Sequence, residues 1–356
     1  MSKKKLKLRN VATIACLAAS VAFVGCDKKP KLEDPVNIGD NVYVVGYENT
    51  GQGGTTVAKL WNGETAQNLT DGAYTVFANS IYVAGSDVYV VGDELEELDE
   101  RFVCTAKLWK NGVAQNLTDG TKFSSAQSVY VVGSDVYVAG YEGSRAKLWK
   151  NGIEQNLTDR MNSYAYSVCV SGKDVYVSGR CGIECNDTVC GLYVAKLWKN
   201  GVEQSLTDTI LSHANFVFVA GNDVYVAGYG HNEQGIQVAR LWKNGIAQDL
   251  TNGTYEAEAR SVYVLGNDVY VVGEEHKKLY TAIDNTQHGF PVAVLWKNGI
   301  EQNLMDDAYA KSVYVSGGDV YIAGSNISGI PILWKNGQTL KLSCIKSGGA
   351  SCVFVK

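Results

Sequence analysis

Proline, methionine and histidine are scarce in this sequence, and their scarcity limits what the chain can be. Its 356 residues include 4 Pro, 3 Met and 4 His. So little proline excludes a collagen-like or proline-rich disordered chain, whereas 46% hydrophobic residues suffice for a large buried core. The histidines have no partners at metal-ligand spacing, and no Gly-x-Ser-x-Gly sequence or phosphate-binding loop is present. We therefore expect neither a metal nor a cofactor.

Positive charge is also in short supply outside the N-terminal segment. The formal net charge is −5 at pH 7, but residues 1–25 contain five Lys/Arg and no acidic residue, so the remainder carries −10. A body of that charge is repelled by a phosphate backbone. Nucleic acid is therefore excluded as a partner, and any ligand should belong to another class of molecule. We expect the protein to be a monomer.

The N-terminal segment predicts export and a lipid anchor. Residues 1–25 begin with a basic stretch and continue with an apolar one that is too short to span a bilayer but suits a signal peptide. The sequence FVGC at 23–26 resembles a bacterial lipobox, although its phenylalanine and valine depart from the commonest residues. The resemblance implies a signal peptide over 1–25, a lipid on Cys26, a polar tether over 26–40 and a place on a membrane of the bacterial cell envelope, facing the periplasm or the exterior. A plain secretory signal with an incidental cysteine remains the alternative.

The rest of the chain repeats one unit seven times. Each copy contains Leu-Trp-(Lys)-Asn-Gly at spacings of 38 to 54 residues. This string accounts for all seven tryptophans: Trp61, Trp109, Trp149, Trp198, Trp242, Trp296 and Trp334. Segments such as SVYVVG (128–133) and DVYVAG (135–140) alternate β-branched and aromatic residues, which predicts strands. Asn-Gly favours a type I′ hairpin turn.

Each unit is predicted to be a four-stranded antiparallel meander. The lengths of the connections place the SVYVVG strand innermost and the strand after Asn-Gly outermost, in blades stacked about an axis. Because the chain begins in a second strand (41–46) and ends in a first strand (351–355), the C-terminal strand should close the first blade and remove exposed edges. The expected fold is all-β, a seven-bladed β-propeller over 41–356. It resembles the bacterial seven-bladed propellers that include exported lipoproteins, a likeness that implies a fold and no chemistry.

Positions that vary between the repeats supply the candidate site. An alanine precedes each SVYV-type segment, and the residues flanking it differ from unit to unit and should ring one mouth of the central funnel. Ordinary loop drift explains the variation equally well. The candidate funnel-binding residues are Phe77, Tyr164, His213, Glu258, Arg260, Tyr309 and Lys311.

Two functions are compatible with these candidates. Since no acid–base–nucleophile set appears, the preferred one is a membrane-anchored, non-catalytic scaffold that engages a protein or glycan through this face. The alternative is a polysaccharide lyase or hydrolase in which His213, Glu258, Arg260, Tyr164 and Tyr309 act at the funnel.

Long insertions and cysteines complete the sequence-based expectations. The connections between second and third strands are long at residues 47–56, 93–104, 180–193, 229–236 and 274–291, and we expect them to form loops that wall the funnel. In the fourth unit, Cys181 and Cys190 flank such an insertion and are a candidate disulfide, because the spacing suits zinc poorly.

Overall fold

The structure is a computed structural model of the whole chain. It describes residues 38–39, 41–51, 54–98, 101–185, 188–207, 211–281, 287–344 and 346–356. The predicted signal peptide, Cys26 and almost all of the tether lie outside these residues, so those predictions are not tested by it.

Twenty-eight strands form seven four-stranded antiparallel sheets, or blades. Blades 1 to 3 comprise β28 (Gly348–Val355), β1 (Val42–Asn49), β2 (Thr56–Asn62), β3 (Thr65–Asn68); β4 (Thr75–Ala84), β5 (Asp87–Leu98), β6 (Arg101–Lys110), β7 (Val113–Asn116); and β8 (Ser124–Val132), β9 (Asp135–Glu142), β10 (Arg145–Lys150), β11 (Ile153–Asn156). Blades 4 and 5 comprise β12 (Tyr164–Ser171), β13 (Asp174–Cys185), β14 (Thr188–Lys199), β15 (Val202–Ser205); and β16 (His213–Ala220), β17 (Asp223–His231), β18 (Gln237–Lys243), β19 (Ile246–Asp249). Blades 6 and 7 comprise β20 (Ala257–Leu265), β21 (Asp268–Thr281), β22 (Gln287–Lys297), β23 (Ile300–Asp306); and β24 (Ala308–Ser316), β25 (Asp319–Asn326), β26 (Pro331–Lys335), β27 (Gln338–Lys341).

The predicted fold class and ring closure are confirmed. Strand β28 pairs antiparallel with β1, so the last strand of the chain is the innermost strand of blade 1. First strands of successive blades contact one another around the axis, with β28 lying between β24 and β4. The blades therefore close into a ring in which blade 1 has four strands like the others and β1 is paired on both sides, by β28 and β2.

The two turn motifs of each unit are hydrogen-bonded to each other. Asn111 adopts a left-handed conformation with φ of 52°, as a type I′ turn requires. Its side-chain oxygen accepts a hydrogen bond from the backbone N–H of Val88 at 2.8 Å, and its amide nitrogen donates to Asp87 at 2.9 Å. The equivalent asparagines of blades 3 to 7 do the same. This asparagine clamp joins the Gly-x-Asp and Asn-Gly turns on what we call the turn face.

The hydrophobic core lies between blades, where the tryptophans pack. All seven are at most 1% exposed. Trp149 of blade 3, for example, lies in one cluster with Val91, Leu108 and Ala126. The burial of the tryptophans confirms that they are packing residues rather than sugar-stacking residues, because a buried indole offers no face to a ligand.

Aromatic rings from the innermost strands form a collar within the channel. Neighbouring ring centroids lie 4.7–5.0 Å apart along the series Tyr130, Tyr82, Phe354, Tyr314, Tyr263 and Phe218. Cys169 occupies the corresponding position of the remaining blade, between Tyr130 and Phe218, and it is 4% exposed. A cavity of about 90 Å³ adjoins these rings.

The predicted wall of loops is wrong in part. In blades 2, 4 and 6 the insertions continue the second and third strands as hairpins, and in blade 2 the pairing extends to Leu98 opposite Arg101. Backbone pairing across these hairpins, which bulges interrupt in blades 4 and 6, satisfies backbone groups that a loop would leave to water. Within the described residues, no helix is long and apolar enough to cross a membrane.

Candidate functional site

A bulge in each first strand presents the variable residues to the channel. The pairing register shifts between the recurring alanine and the residue two positions later, for instance between Ala214 and Phe216. Alanine lies opposite the recurring glycine of the second strand, and a Cβ on Gly228 would lie 2.0 Å from the carbonyl oxygen of His213. The glycine thus permits a close approach that fixes the backbone of the variable residue.

Three variable positions in each blade meet at this end of the channel, which we call the funnel mouth. The first precedes the alanine: Phe77, Ser125, Tyr164, His213, Glu258, Tyr309 and Gly349. The second follows it: Asn79, Gln127, Tyr166, Asn215, Arg260, Lys311 and Ser351. The third follows the glycine of the second strand and pairs directly with the first: Asp93, Tyr141, Arg180, Tyr229, Glu274, Ser325 and Tyr47. Our sequence reasoning missed this third position, although its variation after a recurring glycine was a readable signal.

Aromatic residues form one side of the funnel mouth. Tyr141 contacts Tyr164 with centroids 4.8 Å apart, and the rings of Tyr164 and Tyr166 are nearly parallel at 6.4 Å. His213 stacks on Tyr166 at 5.6 Å and on Tyr229 at 4.6 Å. Blades 3, 4 and 5 therefore supply a continuous aromatic arc, which includes two of the predicted residues.

Arg180 lies within the aromatic arc and has no acidic partner in the part of the chain that the structure describes. Its guanidinium carbon is 4.7 Å from the ring centroid of Tyr164 and 4.3 Å from that of Tyr193. Its Nη1 lies 2.6 Å from Nε2 of His213, while its Nε is buried without a hydrogen-bond partner among the described residues. Because a guanidinium always donates, Nε2 of His213 is the acceptor. Burial and the charge of Arg180 lower the pKa of His213 to about 3.

Charged residues of blades 5 to 7 form a second group. Arg260 donates to both oxygens of Glu274, with one Nε–Oε distance of 2.7 Å, and to Glu258 at 3.1 Å. Asn215 donates to Glu258 at 2.8 Å, which links this group to blade 5. Burial raises the pKa of Glu258, Glu274 raises it further, and Arg260 opposes both. Burial works against the charge of Arg260, but the two carboxylates outweigh it and raise the pKa of the guanidinium.

Lys311 lies beside this charged group. Among the described residues it makes no hydrogen bond or ion pair, and burial followed by repulsion from Arg260 lowers its pKa to about 8, against the attraction of Glu274. Tyr309 pairs with Ser325 at the first position of the same blade and is close enough to Arg260 to favour its charge. The ammonium group is thus available to an incoming ligand.

Blade 2 places an acid at the funnel mouth with neutral donors around it. Asp93 accepts hydrogen bonds from Asn79, Ser125 and Cys104, and burial raises its pKa more than these donors lower it. Phe77 lies away from the other candidates, edge-on to Tyr47 of blade 1 at 5.0 Å. The seven predicted residues therefore fall into an aromatic arc, a charged group and an isolated phenylalanine.

The remaining predictions concern metals and cysteines. No cluster of three or more His, Cys, Asp or Glu side chains able to hold a metal occurs in the described part of the chain. Cys181 is fully buried, and its thiol lies 3.6 Å from Glu203. The side chain of Cys190 lies outside the described residues, so a disulfide between Cys181 and Cys190 stays a prediction.

Comparisons with known proteins support the propeller fold. No family model matches the chain, and no curated protein matches it. Among solved structures, the β-propeller domain of the Trilobed protease from Pyrococcus furiosus has a TM-score of 0.50 at 11% identity, over 87% of this chain and 94% of that one. The two share the propeller fold. The Pyrococcus domain has an open velcro topology, whereas β28 closes the ring here.

Two further structures are longer peptidases. A puromycin-hydrolyzing peptidase of Mycobacterium tuberculosis matches at 12% identity with a TM-score of 0.49, and an acylaminoacyl peptidase of Pyrococcus horikoshii matches at 13% with 0.48. Each match covers 75% of this chain but only 47% and 46% of the peptidases. The chain thus spans about half the length of these two proteins.

The predicted function needs correction in view of the Pyrococcus furiosus match. A membrane-anchored, non-catalytic scaffold was preferred on the absence of a catalytic set in the sequence, but this structure with a TM-score of 0.50 is a domain of a protease. That prediction is wrong, because the absence of a nucleophile motif within a propeller does not separate binding proteins from hydrolases.

Proposed function

We propose that the chain is the substrate-binding propeller of a peptide hydrolase and that the funnel mouth holds the substrate. One observation carries the proposal, which is the concentration of partly buried ionisable groups at the variable positions of the funnel mouth. Arg260, Glu258 and Glu274 form a group of ion pairs, and Arg180 is hydrogen-bonded to neutral His213. Burying such charges costs free energy, and the hydrophobic core does not require them. We therefore interpret these charged groups as part of a functional site.

The chemistry of the funnel mouth suits a peptide. The aromatic arc of Tyr141, Tyr164 and Tyr166 offers ring faces and edges to apolar side chains. The neighbouring charged group offers donors and acceptors for main-chain amides and terminal charges. The peptidase identity of the solved structures that share the fold supports the same substrate class.

Blocking the funnel tests the proposal. A library of short fluorescent peptides is titrated against the full chain, and the binding constant of each is compared with that of Ser351→Trp, which fills the second variable position of blade 1. Gln338→Trp, at the exposed start of β27 on the turn face, is the matched control. We expect saturable binding that Ser351→Trp abolishes and Gln338→Trp preserves. The proposal is wrong if no peptide binds, or if the two tryptophan variants bind alike.

We also propose that the chain is exported and anchored through a lipid on Cys26. The support is the signal-like segment over 1–25 and the lipobox-like sequence that ends it. Palmitate labelling of cells should mark the wild type but not Cys26→Ser, which should leave the membrane fraction. Equal labelling of the two proteins would contradict the proposal.

A further inference from the structure

Arg180 is a partly buried cation that has no counter-charge among the described residues. No carboxylate lies within ion-pair distance of it among the described residues, unlike Arg260, Arg240 and Arg160, each of which has an acidic partner. Its contacts are two tyrosine rings, which stabilise a cation only weakly, and the neutral nitrogen of His213. An uncompensated guanidinium in this setting gains most from an anion that arrives with the ligand.

The geometry around Arg180 selects a flat anion. Tyr164 and Tyr193 both lie within 5 Å of the guanidinium carbon and restrict approach toward its faces. One N–H is taken by His213, which leaves the other donors of the planar fork for a ligand. A carboxylate is planar, accepts two parallel hydrogen bonds and matches that fork. Because a carboxylate bound there would lie beside the aromatic arc, the adjoining side chain of the ligand would contact Tyr166 or Tyr229.

We infer that Arg180 binds the C-terminal carboxylate of a peptide, so that the funnel selects peptide ends over internal segments. The inference rests on the proposed function and adds to it the part of the substrate that is recognised. Recognition of a terminal carboxylate agrees with the position of the arginine at the funnel mouth with its Nε buried, because an internal stretch of chain would reach it only by bending sharply into the funnel. His213 acts as a positioning residue, because it orients the guanidinium through Nη1.

Matched peptides provide the test. The tripeptide Ala-Ala-Phe is titrated as the free acid and as the C-terminal amide by isothermal calorimetry with the full chain. We expect the free acid to bind at least tenfold more tightly than the amide, because the amide loses the charge and one acceptor. Arg180→Met should reduce the affinity for the acid to that for the amide. Arg160→Met, which removes an exposed arginine that pairs with Glu203, should leave the preference intact.

A second variant and a second ligand make the outcomes distinct. Arg180→Lys keeps the charge and loses the fork, so the preference for the acid should shrink while the melting temperature holds; this variant decides the matter if Arg180→Met fails to fold. Equal affinities for acid and amide that Ser351→Trp abolishes would overturn the inference and leave the proposed function standing. Failure of both peptides, together with Arg180-dependent binding of trigalacturonate, would overturn both and assign the arginine to a sugar acid.

Discussion

The ring of Phe354 lies 5.0 Å from the ring of Tyr82, although about three quarters of the chain length separates them in sequence. Phe354 also lies 5.0 Å from Tyr314, so a residue of β28 contacts both blade 2 and blade 7 within the collar. Its neighbour Val353 is buried in a cluster with Val44 and Trp61. The collar and the core of blade 1 therefore depend on the same short strand.

Closure of the ring predicts a strong effect of changes in β28. Val353→Asp would bury an unpaired carboxyl in the cluster around Trp61, and we expect a loss of about 3 kcal/mol or more in the free energy of unfolding. Lys356→Glu changes charge at an exposed neighbouring site and should be neutral. Urea denaturation measures both. A Val353→Asp protein as stable as the wild type would show that β28 does not close the ring.

The close approach of Gly228 to His213 predicts a steric penalty. A Cβ at Gly228 would lie 2.0 Å from a backbone oxygen, a contact that only movement of the strand can relieve. We expect Gly228→Ala to cost about 3 kcal/mol and to weaken ligand binding by moving His213. Gly266→Ala is the control, since its Cβ meets nothing within 4 Å and only its positive φ opposes it, at about 1 kcal/mol. Equal losses in the two variants would contradict the steric account.

The asparagine clamp can be divided into backbone and side-chain contributions. Asn111→Gly keeps the left-handed backbone but loses the hydrogen bonds to Val88 and Asp87, and we expect a loss of about 1 kcal/mol. Asn111→Ala loses the same bonds and must also adopt positive φ, which adds about 1 kcal/mol. Thermal unfolding of both variants measures the difference. If alanine proved no worse than glycine, the turn would not be of the type described.

The depressed pKa of His213 predicts a pH-dependent stability. The unfolded chain binds a proton at this residue near pH 6.5, whereas the folded chain binds it only near pH 3, so protonation favours unfolding as the pH falls between these values. Asp93 and Glu258, whose pKa values are raised, act in the opposite direction. Their contribution to the pH dependence is removed by comparing the wild type with His213→Gln, which retains both carboxyl groups. Relative to His213→Gln, the wild type should lose up to about 1.4 kcal/mol per pH unit on acidification. A difference between the two proteins that stays flat from pH 6 to 4 would contradict the buried, neutral histidine.

The architecture could be predicted from the sequence because the recurring motifs show where each repeat begins and ends. The Leu-Trp motif, the Gly-x-Asp turns and the lengths of the connections together determined blade number, strand order and closure by β28. The spacing of these motifs does not reveal the role of Arg180, although the variation at its position was visible in the sequence. Its role depends on which residue lies across the strand pair from Tyr164 and on a bulge that shifts the register after Ala165, and neither follows from the spacing within one unit. The hairpin extensions of β5 and β21 were missed because length alone does not distinguish a loop from a longer strand.

The bulge described at the funnel mouth has a consequence for how such a protein changes. Alanine and glycine hold the backbone at each site, while three side chains per blade remain free to differ without disturbing the tryptophan core. Stability and ligand choice are thereby carried by separate residues, so that substitutions accumulating in one set leave the other intact. Duplication of a whole repeat therefore adds a blade whose scaffold is already stable. Substitutions at its three variable positions can then change the ligand chemistry of that blade alone.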